Sequence, residues 1–303
     1  MDTAPGNTAP GIPLTTPEGR RLRAYDVPPG GPVRLTVFWH GGTPNVGAPP
    51  EPLLARSREL GVRWLGCDRP GYGGSDRLPG RDVAQAARDV AFVAGALGAG
   101  RFAVMGHSGG GPHALACAAL LPERVFAAVS LSGPAPFGVA GLDYFAGMYS
   151  GGRAELQAAT RGEEALRAAL DAQGDDPQMF TDGDWAALRG PWAWLERVVG
   201  PALDHGPGGM VDDDLALVRP WGFGPAYLRV PTRLHHGEAD RVVPAAHARW
   251  LAAHLPGAEL HTWPGDGHLS VLNHTLDALD WLSRAAPDGI APDATAPGGI
   301  GQG

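Results

Sequence analysis

Residues 101–125 read RFAVMGHSGGGPHALACAALLPERV and hold one serine, Ser108, with Gly106 two positions before it and Gly109, Gly110 and Gly111 directly after. A serine hydroxyl is a poor nucleophile at neutral pH; it needs a base, and the base needs an acid to orient it. Two later segments offer them. LHHGEADRVVP carries Asp240, and HTWPGDGHLS carries His268. The chemistry that such a set would perform is nucleophilic attack on an acyl carbon. The glycine pattern alone decides little, since 46 glycines and eight serines in 303 residues would produce it about 0.2 times by chance.

The elements that must position these residues are legible around them. Residues 102–105 (FAVM) form a short apolar run, as a buried strand should, and 112–121 read as a helix rich in alanine and leucine. Ser108 therefore lies at a strand-to-helix turn with almost no loop. Small residues at positions −2 and +2 relieve the crowding of so sharp a turn, and the hydroxyl meets a helix N-terminus, which favours negative charge. Further strands are expected at 20–27, 34–39, 62–68, 125–131, 232–236 and 259–263. Helices are expected at 50–60, 82–97, 244–254 and 268–283. Such alternation predicts an α/β fold, a mainly parallel central sheet with helices on both faces. In that architecture, catalytic groups come from the carboxyl ends of strands. Asp240 follows the strand at 232–236, and His268 follows the one at 259–263. The strand at 125–131 ends in Leu131-Ser132-Gly133-Pro134, with no carboxylate.

Residues 134–230 break the rhythm. They hold helix-like stretches at 154–172 and 185–199 and no convincing buried strand, which predicts an inserted helical cap. The α/β core then comprises 19–133 and 231–284, between a flexible segment at 1–18 and a disordered tail at 285–303, both rich in Pro and Gly. Half of the chain's 22 aromatic residues fall in the insertion, with 14 acidic residues against seven arginines. The run Asp212, Asp213 and Asp214 reads as a solvated face.

Composition removes several classes of function. A net charge of −8 without basic clusters argues against nucleic acid. No run of about 18 apolar residues suggests a membrane span. The N-terminal stretch lacks the pattern of a signal peptide, and the two cysteines, Cys67 and Cys117, lie in apolar contexts, so a cytoplasmic location is expected. The chain has no lysine, which excludes a Walker-A lysine, a Schiff base and a Ser–Lys dyad. No metal and no cofactor are indicated: H-E-x-x-H and C-x-x-C are missing, the glycines of GYGG do not follow the dinucleotide pattern, and the adjacent His235 and His236 point to opposite faces of a strand.

Five segments together carry a resemblance: HGGTP (40–44), DRPGYGGSD (68–76), GHSGG (106–110), GEADRVVP (237–244) and GDGHLS (265–270). In this order and strand context they resemble the α/β-hydrolase superfamily, over residues 14 to 284. The resemblance implies Ser108 as nucleophile, His268 as general base and then acid, and Asp240 as the orienting carboxylate. It implies an oxyanion hole built from the backbone N–H groups of Gly109 and Gly42, with Thr43 the alternative to Gly42. His40 would shape that loop, and Asp68, Arg69 and Ser75 would hold the DRPGYGGSD loop. A serine nucleophile departs from the haloalkane dehalogenases and epoxide hydrolases of the superfamily. HGGTP and GHSGG depart from the HGGPG and GGSWG of prolyl aminopeptidases, and the missing lysine removes the plant-type hydroxynitrile lyase mechanism.

The expected activity is hydrolysis of a carboxylic ester or related acyl bond through an acyl-enzyme. A lyase or acyltransferase on the same fold stays open, as does a non-catalytic small-molecule binder. An insertion entering after Leu131 should roof over Ser108. Of its aromatics Tyr144, Phe145, Tyr149, Trp185, Trp192, Trp194, Trp221 and Phe223, some should line an apolar pocket; Tyr144, Phe145, Trp192 and Trp221 are the expected substrate contacts. His107 either joins them or packs on a neighbouring loop. The insertion's net charge of −7 should repel anions. The expected partner is therefore a small, neutral, apolar acyl substrate rather than a polyanion such as acyl-CoA.

Overall fold

The computed structural model describes residues 10–172, 174 and 176–287. Its centre is an eight-stranded sheet in the order β1-β2-β4-β3-β5-β6-β7-β8. The strands are β1 (Ile12–Thr15), β2 (Arg21–Val27), β3 (Leu35–His40), β4 (Val62–Cys67), β5 (Phe102–His107), β6 (Val125–Leu131), β7 (Thr232–Gly237) and β8 (Glu259–Trp263). From β4 to β8 all neighbours are parallel; β1 and β2 add antiparallel at one edge. Helices α1 (Leu54–Leu60), α2 (Gln85–Ala96) and α3 (Gly110–Leu120) join the central strands. Between β6 and β7 come α4 (Ser150–Ala159), α5 (Glu163–Ala172), α6 (Asp182–Arg189), α7 (Trp194–Val199) and α8 (Gly208–Leu217), with no strand among the described residues. Helices α9 (Ala246–His254) and α10 (Thr275–Ala285) complete the chain.

The central strands are buried on both faces, which is why they read as continuous apolar runs. Alternate residues still divide between two layers. Leu35, Val37, Trp39, Ala103 and Met105 pack with Leu279 and Leu282 of α10. Phe38, Phe102 and Val104 pack on the other face with Val90 and Val93 of α2 and Leu115 of α3. Each large apolar side chain removed from water contributes about 1.5–3 kcal/mol.

Several boundaries differ from the sequence expectation; among them, the helix expected over 185–199 is α6 and α7, parted between Arg189 and Trp194, and the one expected over 268–283 begins at Thr275. Residues 1–9 of the segment expected to be flexible lie outside the described residues, but Ile12–Thr15 is a strand. Ile12 pairs with Ala24 and Leu14 with Leu22, and both apolar side chains pack on the core. Of the segment expected to be disordered, 288–303 lie outside the described residues, while Ala285 closes α10. The helix expected over 154–172 is two helices, α4 and α5, parted at Gly162, whose φ of +108° no helix accommodates.

Candidate active site

β5 ends at His107 and α3 begins at Gly110, so Ser108 is the apex of a two-residue turn. Its φ is +53°, a conformation that costs a non-glycine residue about 1–3 kcal/mol and persists where its surroundings enforce it. Ser108 N–H donates to Leu131 O at 2.8 Å and Gly111 N–H to Ser108 O at 2.8 Å, tying the turn to β6 and to its own helix. The glycines answer to close approach. A Cβ on Gly106 would lie 2.2 Å from Gly110 O, and one on Gly110 would lie 2.1 Å from His40 O. Gly110→Ala is expected to cost about 1–3 kcal/mol or more through overpacking against backbone that has no slack. Chemical denaturation beside wild type measures it; an unchanged midpoint would refute the account of the turn.

Asp240 follows β7 and His268 follows β8, as their strand context requires. His268 Nδ1 lies 2.8 Å from Asp240 Oδ2, and His268 Nε2 lies 2.9 Å from Ser108 Oγ. The N–H groups of Val242 and Val243 donate to Asp240 Oδ1, both at 2.9 Å. Burial pushes the pKa of Asp240 up, but the attraction of His268 and hydrogen bonds from His236 and His268 outweigh it, holding the carboxyl well below its usual range. Asp240 is thus an acceptor, so Nδ1 of His268 carries the proton and Nε2 is left to accept from the serine hydroxyl. His107 does both things considered for it. It lines the cavity at Ser108, and its Nε2 donates to His268 O at 3.1 Å; burial lowers its pKa to about 3, so it is neutral.

Asp184 was not found from the sequence. It closes a capping box with Thr181 at the start of α6, and its Oδ1 also accepts from the N–H groups of Leu269 and Ser270, at 2.8 and 2.7 Å. The loop of His268 is therefore held from the helical insertion. The capping box T-x-x-D was the available signal; nothing local reveals the second pair of bonds.

On the other side of Ser108 lies the loop after β3. A Cβ on Gly42 would lie 3.3 Å from Ser108 Cβ, and one on Gly109 would lie 2.4 Å from Thr43 Oγ1. Gly42 and Thr43 both line the cavity. Arg69 donates to Gly41 O at 2.6 Å and to Gly42 O at 2.7 Å. Asp68 accepts from Gly47 N–H, Gly74 N–H and Tyr25 OH, while Ser75 Oγ donates to Asp68 O. His40 is buried beside Cys117.

Asp212, Asp213 and Asp214 correct the expectation of a solvated face: all three are buried. Asp212 pairs with Arg77, and Asp213 with Arg69 and Arg81. Burial raises the pKa of Asp213, but Arg69 and Arg81 outweigh it and keep the carboxylate charged.

A cavity of about 490 Å³ opens at Ser108 and His268. Its apolar wall comes from the insertion and from the loops of Asp240 and His268: Met179, Phe180, Leu188, Leu195, Val199 and Val242, among others. Asn45 and Glu196 are polar members of the lining, and no arginine is among them. The aromatic residues expected there lie elsewhere. Tyr144 packs against Phe137, Phe145 and His247 at ring separations of 5.2, 5.3 and 4.7 Å. Phe145 also meets Phe137, Trp192 stacks edge-on with Trp194, and Trp221 packs with Val83, Ala116 and Phe223. An insertion of short helices without a sheet must bury its large side chains against itself and against the α/β core: Trp192 and Trp194 join the cluster of Trp39, and Trp221 covers Ala116 of α3. The cavity receives the aliphatic residues of α6 and α7, where Leu195 and Val199 share a face at i, i+4.

Among the described residues no cluster suited to a metal ion occurs, and no helix is long and apolar enough to cross a membrane.

Residues 37–275 match the family model described as alpha/beta hydrolase fold. A 2-hydroxy-6-oxo-6-phenylhexa-2,4-dienoate hydrolase of Burkholderia cepacia is 29% identical over 266 residues, 82% of this chain and 85% of that protein. A 2-hydroxy-6-oxononadienedioate/2-hydroxy-6-oxononatrienedioate hydrolase of Comamonas testosteroni is 28% identical over 256 residues, with the same coverage of 82% and 85%. Among solved structures, an esterase from Exiguobacterium antarcticum superposes with a TM-score of 0.69 at 21% identity, over 91% of this chain and all of that one.

Proposed function

The chain belongs to the α/β-hydrolase fold family and is a hydrolase, and from that premise we propose that it cleaves neutral, apolar carboxylic esters through an acyl-enzyme on Ser108. The observation that carries the reading is the unbroken hydrogen-bonded line from Ser108 Oγ through His268, 2.9 Å at Nε2 and 2.8 Å at Nδ1, to Asp240. Ser108 Oγ attacks the ester carbonyl while its proton passes to His268 Nε2, and the Asp240 carboxylate stabilises the imidazolium. The carbonyl oxygen becomes an oxyanion facing the N–H groups of Gly109 and of Gly42, with Thr43 the alternative to Gly42. Each such donor is worth about 2.7–4 kcal/mol. The tetrahedral adduct collapses, and His268 returns the proton to the departing alcohol. A water then gives one proton to His268 Nε2 and attacks the acyl-enzyme; this second adduct collapses as His268 returns that proton to Ser108 Oγ, releasing the acid and the free serine.

The helical insertion acts in this reading as a cap, since α6 and α7 supply much of the wall over Ser108. The buried free thiols Cys67 and Cys117 fit a cytoplasmic protein. The wall chemistry supports an ester over the anionic dienoates named for the two relatives. A dienedioate carries two carboxylates, and burying them requires cationic partners. This cavity has no arginine in its lining, the chain has no lysine, and Glu196 adds a negative charge.

A panel pairing neutral and anionic esters of one acyl group, with a 2-hydroxy-6-oxo-dienoate beside them, tests the choice. The neutral ester is expected to lead in kcat/KM by about 10-fold or more at low salt, with the gap narrowing as salt screens the field. A lead for the dienoate refutes the ester reading, and a lead for the anionic ester at low salt refutes the preference for neutral substrates. Adding an alcohol alongside water separates hydrolysis from acyl transfer, because an acyltransferase would divert its product to the new ester. A binding protein would retain ligand without turnover.

A further inference from the structure

Asp213, in α8 of the insertion, takes no part in the reaction just described, yet its carboxylate is completely buried. Its Oδ2 accepts from Thr43 Oγ1 at 2.7 Å, Tyr72 OH at 2.8 Å and Arg69 Nη2 at 2.7 Å. Its Oδ1 accepts from Arg81 Nη2 at 2.6 Å. Taking three charges out of water is expensive, and well-packed apolar groups would hold a helix to the core at least as firmly. What distinguishes this network is where it ends. Arg69 directs Nη1 to Gly41 O and Nη2 to Gly42 O, the carbonyls of two successive peptides in the loop after β3.

In a trans peptide the C=O and N–H of one unit point in opposite directions. The carbonyl of Gly41 shares its unit with the N–H of Gly42, and the carbonyl of Gly42 shares its unit with the N–H of Thr43. A guanidinium gripping both carbonyls from behind therefore turns both N–H groups away from itself. Gly42 and Thr43 line the cavity with Ser108, so that side is where an ester carbonyl would sit. A cation on the carbonyl also polarises the peptide and strengthens its N–H as a donor. The donor on the other loop is fixed similarly, since Gly111 N–H holds Ser108 O, the carbonyl of the peptide that carries the Gly109 N–H.

We infer that Asp213 is a positioning residue for the oxyanion hole: from the helical insertion it holds Arg69, and Arg69 holds the Gly41 and Gly42 carbonyls so that the N–H groups behind them face the reacting oxygen. The inference rests on Ser108 being the nucleophile. It makes the insertion part of the catalytic apparatus as well as the wall of the cavity. Exchanging the insertion for one without an acid at this point would loosen the hole even with the cavity kept intact.

The test uses two ketone analogues of the preferred ester. A trifluoromethyl ketone adds Ser108 Oγ and presents an oxyanion; the unfluorinated ketone binds as a ground-state mimic. Asp213→Asn and Arg69→Lys are expected to lose about 10–100-fold in kcat. Affinity for the trifluoromethyl ketone should fall by the same factor, while KM and affinity for the plain ketone stay within about 3-fold. Tyr72→Phe removes one hydrogen bond and leaves all three charges, so it should fold even where the charge variants do not. It is expected to show the same pattern at several-fold. The inference fails if any folded variant binds the trifluoromethyl ketone as wild type does, or loses both ketones equally; the network would then only anchor α8. Wild type forming no adduct with the trifluoromethyl ketone would overturn the nucleophile assignment itself, before any variant is compared.

Discussion

Turnover is expected to fall by about 10⁶-fold in Ser108→Ala, with labelling by a fluorophosphonate probe abolished. The hydroxyl hydrogen-bonds to His268 Nε2, while its backbone bonds to Leu131 and Gly111 are independent of the side chain. Removing Oγ therefore takes away the attacking atom and leaves the turn standing. What rate remains should come from the oxyanion donors and from binding, which in comparable sites keep a residual 10³–10⁴-fold over water. Mass spectrometry of the labelled protein locates the adduct. A probe adduct that persists in the alanine variant, or equal turnover by the two proteins, would remove Ser108 from the mechanism. Equal and tight ligand binding without turnover in either protein would favour the non-catalytic reading.

Asp240→Asn should lower kcat by about 10⁴-fold while the protein stays folded. The geometry dictates the reason. Asp240 Oδ1 receives two backbone N–H groups, from Val242 and Val243, so an asparagine must place its carbonyl oxygen there. Its amide nitrogen then occupies the position of Oδ2, 2.8 Å from His268 Nδ1. Nδ1 must now accept, the proton moves to Nε2, and the ring meets Ser108 in the tautomer that cannot take its proton. Circular dichroism and a thermal melt establish the fold, and kcat carries the result. A rate near that of wild type would exclude Asp240 as the orienting acid and turn attention to carboxylates of the insertion, among which Asp184 already touches the His268 loop.

Both expectations concern residues whose places could be read along the chain, and the physical reason is locality. A strand buried on both faces is a short apolar run. A sharp strand-to-helix turn needs glycine at fixed offsets, as the approaches at Gly106 and Gly110 demonstrate. A residue just beyond a parallel strand lies at the same edge of the sheet as its counterparts. Ser108, Asp240 and His268 each carry such a local mark, so a one-dimensional reading could bring them to one edge. It could not supply the distances, the tautomer of His268 or the bonds to Asp240 Oδ1.

Other features have no local mark. The strand Ile12–Thr15 lies in a segment whose composition suggests fraying; pairing with β2 and partial burial of Ile12 and Leu14 against the core make it a strand. Aromatic content in the insertion says that apolar surface will be buried, without saying on which side. Packing within the insertion and against the α/β core buried Tyr144, Trp192 and Trp221 and left Leu188, Leu195 and Val199 to the cavity. Asp213 stands in a run of three acids that reads as solvated, and its partners Arg69 and Arg81 are 144 and 132 positions away. Charge along a sequence reports only neighbours in the chain. Whether a carboxylate is hydrated, or buried and paired with a guanidinium, is decided by which distant segments the fold brings within hydrogen-bonding reach.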